Sequence, residues 1–296
     1  MKKDLIFKGV ATALITPFKN EKIDYVSLKR IIDYQLAAGI DALVIAGTTG
    51  EGATLCKKER YKLFEFCSDY VGSRVPLIFG VGTNNTKESI EHSKRAEAIG
   101  ANALLVITPY YNKGTDEGIL SHYFSIANST DLPIIVYNVP SRTGVNLSIE
   151  LLKKLAECEK IVGLKEASDS IDRLMALSCL TEKMTLYSGN DSQIYLNLAV
   201  GGMGVISVAS NLIPRQMKEI TESYFSASYQ KSLKAQQELM PFINLLFKET
   251  NPSPIKYAMS LRGLCLPDMR LPLTPPSEET AKLIEKELHN LNTTVN

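Results

Sequence analysis

Eight short runs rich in Val, Ile, Leu and Ala recur along most of this chain, each separated from the next by a helix-length segment. They fall at residues 10–15, 42–46, 77–81, 103–107, 134–138, 161–165, 186–188 and 205–208. Most lack apolar–polar alternation, so they read as strands buried on both faces, which is the pattern of a parallel sheet. The segments between them carry helix signals. Thr86 suits the N-cap of a helix over 87–99, with Gly100 at the position where a left-handed residue ends it. Thr115 suits the cap of a helix over 116–128, with Asp116 and Glu117 in its first turn, and Ser148 precedes the apolar stripe Leu151, Leu152 and Leu155. Eight such units in a row fit a (β/α)8 TIM barrel or a large doubly wound sheet. Regular repetition without a dinucleotide fingerprint favours the α/β barrel.

After about residue 225 the strands stop. Helices are expected near 233–247, 255–261 and 278–288, punctuated by Asn251-Pro252-Ser253-Pro254 and Leu271-Pro272-Leu273-Thr274-Pro275-Pro276. The reading is a catalytic barrel over 1–225 and a small C-terminal helical domain over 226–296. The segment Met1-Lys2-Lys3-Asp4-Leu5-Ile6-Phe7-Lys8 begins like a leader, but Lys8 interrupts the apolar stretch that should follow. No run reaches the length of a membrane span, and we expect a cytoplasmic protein with no membrane partner.

Lys and Arg total 33 against 32 Asp and Glu, which argues against a nucleic-acid partner. The five cysteines (Cys56, Cys67, Cys158, Cys179, Cys265) show no C-x-x-C pair and read as buried or half-buried free thiols. His92, His122 and His289 show no ligand spacing, so neither metal nor cofactor is expected.

In such a barrel the chemistry lies at the C-terminal ends of the strands. Those ends carry Gly47-Thr48-Thr49-Gly50-Glu51, Thr108-Pro109-Tyr110-Tyr111-Asn112, Tyr137-Asn138-Val139-Pro140-Ser141-Arg142-Thr143-Gly144, Lys165-Glu166 and Ser188-Gly189-Asn190-Asp191. The first is G-x-x-G-x-G once Gly52 is included, not a nucleotide loop, although its amides suit a small carboxylate. Taken alone, a lysine closing a strand is usually solvated. In the mouth of a barrel, Lys165 loses hydration, its pKa falls, and the neutral amine can attack a ketone to form a Schiff base. Thr49, Tyr137 and Tyr111 offer hydroxyls for a proton relay, and Arg142 offers a fork suited to a carboxylate.

These motifs resemble the 4-hydroxy-tetrahydrodipicolinate (dihydrodipicolinate) synthase family of the pyruvate-dependent aldolase superfamily. The likeness runs from residue 9 to about 275 and includes Gly163-Leu164-Lys165-Glu166, Asn251-Pro252-x-Pro254-x-Lys256 and Leu271-Pro272-Leu273. It implies that Lys165 forms the pyruvate imine, and that Thr49, Tyr137 and Tyr111 form the relay, with Tyr111 reaching into a neighbouring subunit. It further implies that Thr48, Gly189 and Ile206 line the pyruvate pocket and that Arg142 binds the carboxylate of aspartate 4-semialdehyde. The implied assembly is a homotetramer, a pair of tight dimers. Asn84, Glu88 and Tyr110 match an allosteric lysine site. Sensitive members have histidines where this chain has Lys57 and Arg60, so cationic repulsion predicts weak lysine inhibition.

Two other readings stand beside this one. A lyase acting on N-acetylneuraminate or a 2-keto-3-deoxy sugar acid would share the lysine, but its polyol aldehyde offers no anion for Arg142. A catalytically silent ligand-sensing barrel would be expected to have lost Lys165, Tyr137 or Thr49, and all three are present.

Overall fold

The structure, a computed structural model, describes residues 5–293. The leader-like start therefore lies partly outside the described residues. Eight parallel strands close into a barrel: β1 (Gly9–Ala13), β2 (Ala42–Ile45), β3 (Leu77–Gly80), β4 (Ala103–Ile107), β5 (Ile134–Asn138), β6 (Ile161–Glu166), β7 (Thr185–Ser188) and β8 (Gly204–Ser207). Each expected strand is present; those at 103–107 and 134–138 coincide, and the others shift by a residue or two at one or both ends. A ribbon of Phe18–Lys19 against Lys22–Ile23 was not foreseen; its two-residue strands are too short to show a period.

Alternate residues of each strand face opposite sides. Ala11, Ala13, Val44, Ile78, Leu105, Ile135, Tyr137 and Ile206 fill the interior, while Val10, Leu43, Ile45, Phe79, Leu104, Val106 and Leu164 pack outward against helices. Both faces are covered, which is why the strand sequences do not alternate in polarity. At the lower end Phe7 stacks on Tyr187 with ring centroids 4.2 Å apart, and the Tyr187 hydroxyl donates to the Phe7 carbonyl. The barrel is closed there.

The surrounding helices are α1 (Tyr25–Ala37), α2 (Lys57–Val71), α3 (Thr86–Ile99), α4 (Asp116–Ala127), α5 (Ile149–Ala156), α6 (Ile171–Leu177), α7 (Ile194–Ala199) and α8 (Pro214–Phe225). Thr115 and Ser148 cap α4 and α5 as expected, and Gly100 ends α3 at φ +91°. Thr86 does not cap α3. Asn85 accepts from the amides of Lys87 and Glu88, and Thr86 enters the first turn with its hydroxyl on His122 Nδ1. Asn competes well for this position because its short amide reaches the free N–H groups.

Three more helices follow: α9 (Tyr229–Leu246), α10 (Ser253–Leu261) and α11 (Glu278–Thr293). Leu239, Phe242, Ile243 and Leu246 of α9, with Ile255, Ala258 and Met259 of α10, join the hydrophobic cluster that the barrel helices build. All five cysteines are free, but only three follow the burial expectation. Cys56 and Cys179 are exposed, the former at the N-cap of α2 and the latter in a single turn, Ser178–Leu180. Among the described residues no helix is long and apolar enough to cross a membrane.

Candidate active site

Strand register brings the first two reactive groups together. Tyr137 on β5 and Lys165 on β6 are direct cross-strand partners, so both side chains enter the barrel at one level. The Lys165 amine sits 4.1 Å from the Tyr137 ring centroid. Both residues are buried. Burial strips water from the ammonium and is the main reason the Lys165 pKa falls to about 7. The negative charge of Asp191 partly offsets this, and the Arg142 guanidinium adds to it. Burial also raises the Tyr137 phenol, while Arg142 and a hydrogen bond with Thr48 pull it back.

That last influence brings Thr48 beside the expected relay. Thr48 lines the cavity with Tyr137 and its hydroxyl lowers the phenol pKa. The Thr49 hydroxyl instead accepts from Asn251 Nδ2 at 3.0 Å and is buried. The turn after β2 decides which way each threonine points. Ala46 and Glu51 hold left-handed φ values of +55° and +51° at its two ends. A Cβ on Gly52 would lie 2.2 Å from the Ala46 carbonyl oxygen, so only glycine fits there.

A cavity of about 490 Å³ opens above Lys165, lined by Thr48, Thr49, Tyr137, Arg142 and Gly189 among others. Gly189 sits where two strand ends approach closely: its amide donates to the Glu166 carbonyl at 2.6 Å, and a Cβ would meet that of Ala167 at 2.6 Å. Ile206 is fully buried in the barrel interior below, and the wall at that strand is formed by Val208. Arg142 is exposed, and its Nη2 donates to the Asn251 carbonyl at 3.0 Å. Tyr111 does not enter the cavity of its own chain. It stands 90% exposed at φ +69°, far outside the usual range for a tyrosine.

Some residues of the site were not singled out from the sequence. Asp191 is buried beside the cavity with its Oδ2 held by the amides of Val208 and Ala209. Asn251 touches both Thr49 and Arg142, and Ile243, Asn244 and Phe247 of the C-terminal segment form part of the wall. Spacing gives no signal for residues so remote from the strand ends; the Asn251 motif was visible only as a family signature. A second cavity of about 310 Å³ lies beyond the first, lined by Gly52, Arg60, Thr83 and Tyr110, and shares Thr48, Tyr137, Arg142 and Asn251 with it. Among the described residues no group of three or more His, Cys, Asp or Glu is placed to hold a metal ion.

Residues 6–291 match the profile of the Dihydrodipicolinate synthetase family. The chain belongs to that family. A 4-hydroxy-tetrahydrodipicolinate synthase of Clostridium novyi (strain NT) is 43% identical over 98% of both chains. The crystal structure of dihydrodipicolinate synthase from Thermotoga maritima superposes with a TM-score of 0.95 at 44% identity, covering 97% of this chain and 99% of that one. A dihydrodipicolinate synthase from Acinetobacter baumannii, described as chloride-inhibited and complexed with pyruvate, gives 0.93 at 37% identity over 96% and 98%. The family resemblance and the barrel expected from the sequence are thus borne out. The chain is a lyase of the dihydrodipicolinate synthetase family with 4-hydroxy-tetrahydrodipicolinate synthase activity.

Proposed function

We propose that Lys165 carries this activity by joining pyruvate to L-aspartate 4-semialdehyde, on the diaminopimelate route to lysine. One observation carries the assignment: a buried amine in the barrel mouth whose pKa is lowered to about 7. The neutral amine bonds to the keto carbon of pyruvate, and loss of water gives a protonated imine. That imine draws electrons from the methyl carbon, which releases a proton and becomes an enamine. The enamine carbon attacks the aldehyde. The amino group of the second substrate then displaces Lys165 Nζ from the imine carbon, closing the ring and freeing the enzyme.

In this reading Thr48 and Tyr137 pass protons, while the amides of the glycine-rich turn, Thr49 and Gly189 hold the pyruvate end. Arg142 receives the carboxylate of the semialdehyde, which a polyol aldehyde would not supply. Ile206 shapes the pocket from beneath. Tyr111 completes the relay of a partner subunit in a homotetramer built as a dimer of dimers; so exposed an aromatic is suited to an interface. The barrel, 1–225, supplies the reacting groups and the helical domain, 226–296, covers them. The working compartment is the cytoplasm. Borohydride added with pyruvate should leave one reduced pyruvyl group on the peptide containing Lys165; an unmodified peptide would remove the basis of the assignment.

The relay has its own expected outcome. Thr48→Val lowers kcat by about 10²-fold, the scale of a general acid–base contribution. Thr49→Val lowers it less. Tyr111→Phe slows turnover while pyruvate trapping persists, and unchanged kinetics would remove Tyr111 from the relay.

Lysine inhibition is expected to be weak. Glu88, its residue one-third exposed, lies 3.7 Å from His92, and the Asn84 carbonyl accepts from Asn112. Lys57 directs its charge to Glu91 at 2.6 Å, so repulsion of a lysine ammonium falls mainly to Arg60. Arg60 lines the second cavity with Tyr110 and donates to the carbonyls of Gly52 and Gly80. Half-inhibition by submillimolar lysine in a steady-state assay would contradict this.

A further inference from the structure

The turn that carries Thr48 and Thr49 is held from behind by a charge pair fully removed from water. Glu51 Oε1 accepts from Lys256 Nζ at 2.5 Å, and both side chains have no exposed surface. Glu51 Oε2 accepts from the Arg270 amide at 3.0 Å. The same ammonium donates to the Asp268 carbonyl at 2.7 Å and lies 4.4 Å from the Phe18 ring centroid. On the other side of the turn, Asn251 binds the Thr49 hydroxyl. One C-terminal stretch, 251–270, therefore grips the turn at two points.

A buried pair of this kind is a poor source of stability, because desolvating two charges consumes most of their attraction. Apolar side chains of equal volume would serve a purely structural purpose as well. What the pair provides instead is position. Glu51 sits at a left-handed φ of +51°, a conformation that costs energy and persists only where surrounding contacts enforce it. Three residues earlier, Thr48 lines the cavity together with Tyr137, whose ring lies against the reactive amine.

We infer that Lys256, acting through Glu51, is a positioning residue for the condensation: it sets where the Thr48 hydroxyl stands relative to Tyr137 and Lys165. The inference rests on the proposed role of Thr48 and Tyr137. Neither Lys256 nor Glu51 touches a reacting atom. Their effect is on the placement of groups that do, and small misplacements of such groups cost large factors in rate.

Two variants test it. Lys256→Met/Glu51→Gln removes both charges while keeping most of the volume, so no lone charge is left buried. Glu51→Asp keeps the charge and tolerates a left-handed φ, but shortens the reach by one methylene. Each is compared with wild type for thermal midpoint, kcat, both KM values and trapping of pyruvate by borohydride. The expected result for Glu51→Asp is a midpoint near that of wild type with kcat reduced at least tenfold. The double variant should show the same loss of kcat, and the pyruvate KM should rise more than the semialdehyde KM. Wild-type kcat in Glu51→Asp overturns the inference, whatever the fate of the double variant. So does a double variant that regains stability and activity together. Wild-type protein that fails to trap pyruvate on Lys165 would instead defeat the proposed function, which keeps the two failures apart.

Discussion

Replacing Lys165 with alanine is expected to abolish borohydride trapping of pyruvate and to lower kcat by roughly 10⁴-fold or more, the scale on which loss of a covalent nucleophile is felt. Among the described residues Lys165 is the one lysine that lines the main cavity. The wild-type protein should also show a characteristic pH dependence. The attacking species is the neutral amine, and its pKa lies at about 7. Trapping should therefore slow about tenfold per unit below pH 7 and level off above it. A lysine at the ordinary value of 10.5 would keep accelerating to pH 9 and beyond. A trapping rate still rising tenfold per unit between pH 8 and 9 would show that burial does not tune this amine.

Arg142→Ala is expected to separate the two substrates. A charge-assisted, two-pronged contact to a carboxylate contributes about 3 kcal/mol, so kcat/KM for the semialdehyde should fall about 10²-fold. Pyruvate trapping should survive. Its pH profile should move upward, because removing a neighbouring positive charge lets the Lys165 ammonium persist to higher pH. Equal losses with both substrates, and no shift of the profile, would detach Arg142 from the aldehyde.

Much of this was visible in the chain before any coordinates. The eight strands showed themselves because a parallel barrel buries both faces of each, and Val10, Leu43 and Val106 are as apolar as their inward-facing neighbours. Lys165 was legible because a strand end in a barrel has a known direction. The directions in which Thr48 and Thr49 point were not. Adjacent side chains in a turn are aimed by backbone dihedrals, here the left-handed residues Ala46 and Glu51, and no pattern of residue types encodes those values. The parts played by Asn251 and Lys256 escaped for a different reason. They meet the turn only because α10 and its flanking loops fold back on the barrel, a long-range event that local periodicity does not register. The exposure of Cys56 was missed because helix entry, not thiol hydrophobicity, governs its place.

The Phe7–Tyr187 stack, which seals the lower end of the barrel, has a corollary. Both cavities lie at the opposite end, so reactants and products reach and leave the amine on that side. On the proposed function, pyruvate bonds to Lys165 at the base of this space before the semialdehyde adds. A pair of stacked rings at one end of the barrel thus fixes the side from which the amine is approached.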